Sequence, residues 1–214
     1  MILKPETREE WLSMRQAQGI GGSDAGTVLG LNPWCSNLQL WKQKTGQEQP
    51  EDISEKPAVK FGKKAEEHIR ELFVLDYPDY DIDYHEFWMH VNDRLPWQFA
   101  TLDGELTDKS NRRGILEIKT TTIQNKAQWD EWEGRVPDRY YVQVLHQLSA
   151  TGFDFAILRA YIRYYKGGEF RAATRDYTIE RQAVQDDIEY LCEQEAAFME
   201  CVKNRKPPAA IITM

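Results

Sequence analysis

A chain of 214 residues is long enough for one domain with a sizeable core. With 41% hydrophobic residues, seven Trp, ten Tyr and eight Phe it is too rich in core material for a disordered chain, and no apolar run approaches the ~20 residues that span a bilayer. The formal net charge of −8 lacks the basic footprint of a nucleic-acid binder, so a DNA-directed role requires a local basic cleft within an acidic exterior.

The segment Met1–Glu6 has no apolar signal core, which makes a cytosolic protein the expectation. Thr7 followed by Glu10 is a capping pattern and predicts a helix over Thr7–Gln18. Asp24–Leu29 and Asn37–Lys44 read as short helices around a turn at Asn32-Pro33, and Gln47–Lys56 as a polar loop. Phe61–Leu75 carries Ala65, Ile69, Leu72 and Phe73 on one helical face. Strands are predicted over Ile82–Val91, Phe99–Leu106 and Gly114–Thr120, the last two flanking a turn at Asp108–Arg113. Pro137 can open a helix that runs to about Ala150. Phe153–Tyr165 and Phe170–Ile179 flank a hairpin turn, Lys166-Gly167-Gly168-Glu169. Arg181–Val202 closes the pattern as a long helix with Val184, Ile188, Leu191, Phe198 and Val202 facing inward, and Lys203–Met214 follows as a short tail that docks or frays. This order implies an α/β (α+β) fold with a central mixed β-sheet flanked by helices. Cys35, Cys192 and Cys201 fit no zinc or haem spacing and are read as buried free thiols.

The chemistry lies in the middle of the chain. Asp103-Gly104 ends one apolar stretch, and Glu117-Ile118-Lys119 lies in the next. Side chains alternate along a strand, so Glu117 and Lys119 share a face while Leu116 and Ile118 enter the opposite core. An exposed pair of this kind is worth only about 0–1 kcal/mol, and a buried one is costly to desolvate. Hydrolysis of a phosphodiester accounts for all three residues. Carboxylates at Asp103 and Glu117, with the backbone carbonyl of Ile118, can hold a hard cation, and Lys119 can orient water and steady developing negative charge.

These residues resemble the PD-(D/E)xK nuclease core, and the flanking motifs resemble its lambda-exonuclease branch, which includes the YqaJ-like phage recombinases. Gly21-Gly22-Ser23-Asp24-Ala25 is similar to the family's serine motif, Phe61-Gly62-Lys63-Lys64-Ala65-Glu66 to its G-x-x-x-E helix, and Tyr140-Tyr141-Val142-Gln143 to its Tyr-x-x-Gln helix. Leu102 stands where the core's name expects proline. The resemblance covers roughly Arg15 to Thr151 and implies a restriction-endonuclease-like fold. It makes Glu66 the third acidic group, directs Gln143 toward the lysine or the water, and assigns Arg15 and Ser23 to a 5′-phosphate. Gln147 is a weaker candidate, and His146 falls outside the stripe and is read as structural.

The implied organisation is a single nuclease domain, 1–214, comprising a helical N-terminal region over 1–78, a catalytic core over 79–180 and a C-terminal helix over 181–203. The implied activity is a Mg²⁺-dependent 5′-to-3′ exonuclease, using one or two ions with Mn²⁺ as substitute, that acts on ends of linear duplex DNA. It leaves 3′ single-stranded overhangs for recombination with a single-strand annealing protein, as a homo-oligomer such as a trimeric ring, in the cytoplasm of a bacterial host and phage- or prophage-encoded. Two other readings stay open: an endonuclease or junction resolvase, which would cut closed circles, and a catalytically silent DNA-end-binding module. Ser23 alone would also serve as an ordinary helix N-cap. Core packing is expected for most of Trp34, Trp41, Trp88, Trp97, Trp129 and Trp132, with Trp129 and Trp132 in an exposed connection. Lys42, Lys44, Lys60, Lys63 and Lys64 form a basic segment suited to phosphates or to a solvated face.

Overall fold

The sequence Arg-Gly-Ile-Leu-Glu-Ile-Lys-Thr-Thr-Thr-Ile forms an eleven-residue strand, β7 (Arg113–Ile123), in the centre of the fold. The computed structural model describes residues 1–211. β7 pairs antiparallel with β6 (Gly104–Thr107) and parallel with β8 (Phe155–Lys166). β8 turns back into β9 (Glu169–Glu180) through Gly167 and Gly168, both at positive φ, which glycine alone adopts without strain. With β3 (Asp81–Asp83) the sheet order is β3-β6-β7-β8-β9. A second sheet, in the order β1-β4-β5-β2, combines β1 (Ile2–Leu3), β4 (Met89–Val91), β5 (Gln98–Ala100) and β2 (Ile20–Gly21).

Two predicted strands are therefore each two strands. Ile82–Val91 splits into β3 and β4, and Phe99–Leu106 into β5 and β6, with the halves in different sheets. At the second break, residues 101–103 satisfy their polar groups through side chains instead of a ladder. Thr101 Oγ1 accepts from Trp11 Nε1 at 3.1 Å, and the Asp103 carbonyl accepts from Arg70 Nε at 2.7 Å. Leu102 is buried in the core there.

The helices follow the sequence closely. Thr7 caps α1 (Arg8–Gln18), its hydroxyl accepting the Glu10 N–H at 3.2 Å. α2 (Gly22–Val28) and α3 (Asn37–Lys44) flank the turn at Asn32-Pro33. α4 (Pro57–Asp76) starts at Pro57, ahead of its predicted beginning at Phe61, because proline suits a first helical position. Trp129 belongs to a short unpredicted helix, α5 (Lys126–Asp130). α6 (Asp138–Thr151) ends at Gly152, in the left-handed conformation, and α7 (Gln185–Lys203) follows a 3-10 turn over Arg181–Val184. The tail touches the N-terminal helices up to Ile211, with the Ala209 carbonyl accepting from Asn37 Nδ2 at 2.8 Å. The end of the predicted apolar tail, 212–214, lies outside the described residues.

The five-stranded sheet is covered on both faces. α6 lays Val144, Leu145 and Leu148 against Ile115, Leu158 and Ala160, while α4 lays Ile69 and Phe73 against Leu116, Ile118 and Ile157. Each such large side chain removed from water contributes roughly 1.5–3 kcal/mol. Alternation along β7 sends Glu117 to the α6 side and Leu116 and Ile118 to the α4 side, as the sequence predicts. All three cysteines are free and half-buried, short of the full burial predicted. No helix among the described residues is long and apolar enough to cross a membrane.

A fully buried ion pair ties α6 to α7 and β5. His146 Nδ1 faces Glu195 Oε1 at 2.7 Å, and its Nε2–H donates to the Phe99 carbonyl at 2.8 Å, with both side chains 0% exposed. Burial opposes the imidazolium, yet the Glu195 carboxylate beside it raises His146 above the usual histidine range. A raised folded-state value means this stabilisation is complete below about pH 6.5 and is lost as pH climbs through the raised value. Urea melts from pH 6 to 9 are expected to show that loss in the wild-type protein. His146→Leu, which leaves the buried Glu195 carboxylate without its cation and with Gln98 as its hydrogen-bond donor, is expected to cost about 3–5 kcal/mol at pH 6 and to flatten the slope. Identical slopes in the two proteins would refute the assignment.

Candidate active site

Glu117 is 2% exposed, and polar groups hold both of its oxygens. Its Oε1 meets Lys119 Nζ at 2.6 Å and accepts from Gln143 Nε2 at 2.6 Å, and its Oε2 accepts from Gln147 Nε2 at 2.6 Å. Gln143 and Gln147 are one helical turn apart on α6, so their amides reach the same strand residue. Gln143 thus faces the glutamate rather than the lysine, and Gln147, the weaker candidate in the sequence, is an equal partner. Lys119 lies 5.1 Å from the centre of the Tyr140 ring and keeps 20% of its side chain exposed. Burial works against its ammonium, but Glu117 and Asp103 lift it above the usual lysine range.

Asp103 stands at the break between β5 and β6 instead of on a strand. Gly104 pairs with Leu116 at the end of the β6–β7 ladder, and the Asp103 carboxylate accepts the next free N–H, that of Ile118, at 2.7 Å. One hydrogen bond therefore joins the two halves of the D…E-x-K pattern. Burial and then repulsion from Glu117 and Glu66 push Asp103 well above the usual carboxylate range. Glu66, half-buried on α4, is raised by burial and by Glu117, so the three acidic groups share one electrostatic field. Its neighbour Glu67 is exposed. One turn beyond Glu66, Arg70 donates to the Asp103 carbonyl and stacks on Tyr84, 3.5 Å from the ring centre. Burial raises Tyr84, and Glu66 and Asp103 add to that shift.

The N-terminal motif adjoins this cluster. The N-cap of α2 is Gly21, not Ser23. The Ser23 hydroxyl instead accepts from Arg15 at 2.5 Å, which brings together the two residues assigned to a phosphate. Asp24 accepts the Gly21 N–H at 3.1 Å and pairs with Lys44 at 2.8 Å. Burial would raise Asp24, but Lys44 and Arg15 hold it below the usual range. Gly22 is pressed against α6: a Cβ there would sit 3.3 Å from Gln143 Cγ and 3.5 Å from Gln147 Cγ. The serine motif and the glutamine pair are thus in direct contact.

The donor set suits a hard divalent cation. Asp103, Glu117 and Glu66 offer oxygen ligands, and the repulsion that favours protonation of Asp103 and Glu66 is what a cation would relieve. Among the described residues no three acidic, histidine or cysteine side chains are already gathered as metal ligands. Lys119 and Gln143 both occupy Oε1 of Glu117, so ligation through that oxygen requires one of them to turn aside.

Several expectations are corrected. Trp132 is 1% exposed, with its carbonyl held by Arg175 and Tyr177, and Trp129 packs edge-on against Tyr164 at 5.0 Å. The connection reads as exposed because its neighbours are polar, but β9 reaches over to cover it. Lys44 is taken up by Asp24, while Lys60 lies on a solvated face beside Glu55, the second of its two readings. Arg70, Tyr84 and Arg139 escape the sequence reading. Only the spacing of Arg70, four after Glu66 and so on the same helical face, could have pointed to one of them.

Two mixed sheets flanked by helices, with Asp103 where β5 gives way to β6 and Glu117 and Glu66 beside it on β7 and α4, define an α/β protein with the fold of the PD-(D/E)xK exonucleases. The solved alkaline exonuclease LHK-Exo of Laribacter hongkongensis superposes at TM-score 0.63 with 18% identity, covering 92% of this chain and 94% of that one. LHK-Exo in complex with dAMP superposes at TM-score 0.60, with 18% identity and the same coverage. The YqaJ-like viral recombinase domain matches residues 10–154, and the chain belongs to that family. YqaJ of Bacillus subtilis (strain 168) is 34% identical over 175 residues, 76% of this chain and 47% of YqaJ, so the chain spans about half the length of that relative.

Removing Gln147 takes the donor from Oε2 of a buried carboxylate, whereas Oε1 keeps Lys119 when Gln143 is removed. Gln147→Ala is expected to lower stability by about 1–3 kcal/mol in denaturant melts, and Gln147→Glu by more, since it sets two carboxylates face to face. A Gln147→Ala protein as stable as wild type would show that the bond to Glu117 contributes nothing.

Proposed function

We propose that this chain is a metal-dependent deoxyribonuclease that degrades linear duplex DNA from its ends. The observation that carries the reading is the meeting of Asp103, Glu117 and Lys119: a buried glutamate and lysine on one strand face, joined through the Ile118 N–H to an aspartate at a strand break. The family's recombinase description and the exonuclease fold support the nuclease over the end-binding module, as does the presence of all three groups. One fold relative is described in complex with dAMP, a nucleoside monophosphate, the kind of product such an enzyme releases.

Asp103, Glu117 and the Ile118 carbonyl, with Glu66 beside them, are the proposed holders of one or two Mg²⁺ ions, with Mn²⁺ as substitute. Such an ion supplies Lewis acidity toward the phosphate and acidifies a water. Lys119 presents a fixed ammonium to the charge that develops on the phosphate. Gln143 and Gln147 keep the Glu117 carboxylate aimed, and Arg15 with Ser23 anchors the 5′-phosphate. Cutting from the 5′ end, a 3′ overhang, a trimeric ring around DNA and an annealing partner complete the proposal, all resting on the family.

The test is a duplex with a 5′-phosphate, labelled on each strand in turn. The wild-type protein is expected to release nucleotides from the 5′ end in Mg²⁺ but not in EDTA, and Lys119→Ala to be at least about 100-fold slower. Binding without any release in Mg²⁺ would overturn the nuclease reading in favour of the end-binding module, and cleavage of closed circles would favour an endonuclease.

The pH dependence of metal binding gives a second test. Raised values at Asp103 and Glu66 mean that the metal-free protein loses stability as pH rises through them, since their stabilisation is complete only below the ordinary carboxylate range. Mg²⁺ is therefore expected to raise the melting temperature progressively from pH 5 to 8, and not to do so in Asp103→Asn. A Mg²⁺ shift independent of pH would exclude these carboxylates as ligands.

A further inference from the structure

Of the tryptophans, Trp34 stands apart: 77% of its surface is exposed, on the turn between α2 and α3. An apolar ring left in water is ordinary on a mobile loop, but this loop is tied down. The Trp34 N–H donates to Asn32 Oδ1 at 3.0 Å, and Asn32 Nδ2 donates to the buried Thr27 hydroxyl at 2.9 Å. Leu31 N–H donates to the Gly26 carbonyl at 2.8 Å, and Ser36 caps α3 just after the ring. The side chain is thus presented by a braced turn.

A chain of cation–ring contacts leads from Trp34 to the catalytic lysine. The Arg139 guanidinium lies 5.9 Å from the centre of the Trp34 ring and 4.5 Å from that of Tyr140, and Lys119 Nζ lies 5.1 Å from the same Tyr140 centre. Arg139 is sparsely paired: among the described residues its acidic contact is Glu131 at 3.4 Å, and its buried Nε has no hydrogen-bond partner. An exposed indole on a fixed turn, next to an under-used guanidinium and leading to a phosphate-directed lysine, has the composition of a single-strand site. Such sites stack bases on aromatic rings and hold the backbone with cations.

We propose that Trp34 is a nucleobase-stacking residue that grips an end nucleotide of the DNA, with Arg139 holding the adjoining phosphate. The inference rests on the nuclease reading above but concerns a different contact with the same substrate. The test slides a single abasic site through the first nucleotides of each strand and measures both the rate of release and the Kd. At one position the wild-type protein is expected to lose roughly 5- to 150-fold on removal of the base, the range typical of one base–aromatic stack. Trp34→Ala should lose that factor on intact DNA and nothing more when the base is removed, while Trp34→Phe keeps most of it. If wild type and Trp34→Ala bind and cut intact DNA alike, or carry the same abasic penalty at every position, the stacking role is overturned. If no protein releases nucleotides, the nuclease reading fails instead, and the coupling between Trp34 and the abasic position in Kd still decides the stacking role.

Discussion

A carboxylate in the middle of a buried strand costs several kcal/mol to desolvate, and the site depends on how Glu117 meets that cost. Three donors do so: Lys119 from the same strand, and Gln143 and Gln147 from the helix packed above it. Because both glutamines must reach one side chain, α6 is held over β7 at a fixed height and rotation. The same demand bears on α2, where a glycine at position 22 leaves room for the two glutamine stems. His146, between the two glutamines in sequence, points away to Glu195 and anchors α6 on its other side. One helix therefore carries two buried polar networks, one at the candidate site and one for attachment.

Much of this was legible because it is local. Alternation along β7 sorts Glu117 and Lys119 from Leu116 and Ile118, and the four-residue spacing of Gln143 and Gln147 puts them on one face. The turn at Gly167-Gly168 and the cap of α1 follow from single residues. What escaped depends on distant partners. Nothing local tells that the chain leaves one sheet at Ala100 and joins another at Gly104, since the carboxylate of Asp103 replaces a ladder contact that only the neighbouring strand reveals. Trp132 is covered by Tyr177 of β9, a strand far along the chain. Ser23 resembles a cap in sequence because the Gly21-Gly22 start of the helix has no side chains to signal it, and its true partner, Arg15, comes from another helix.

The acidic net charge and the proposed DNA substrate are compatible because many cations are already paired. Arg159 is locked between Asp176 and Asp76, Arg112 between Asp108 and Glu180, and Lys44 on Asp24. Around the acidic cluster the balance differs. Arg70 donates to a backbone carbonyl and stacks on a ring, Arg15 donates to a hydroxyl, and Arg139 makes one long contact with a carboxylate. Asp24 and Glu66 lie near enough to feel Arg15 and Arg70, but none of the three guanidiniums is held in a short ion pair among the described residues. Composition averages over both populations, which is why the whole-chain charge is a poor guide to the site.

The close approach at Gly22 sets the first turn of α2, which bears Ser23, directly against the helix that holds Glu117. Under the proposed function, an end gripped at one and a bond cut at the other would be separated by a span set by that packing, so the protein would act as a ruler. The length of each bite along the DNA would then be metered by the packing of two helices and would stay the same whatever bases pass through.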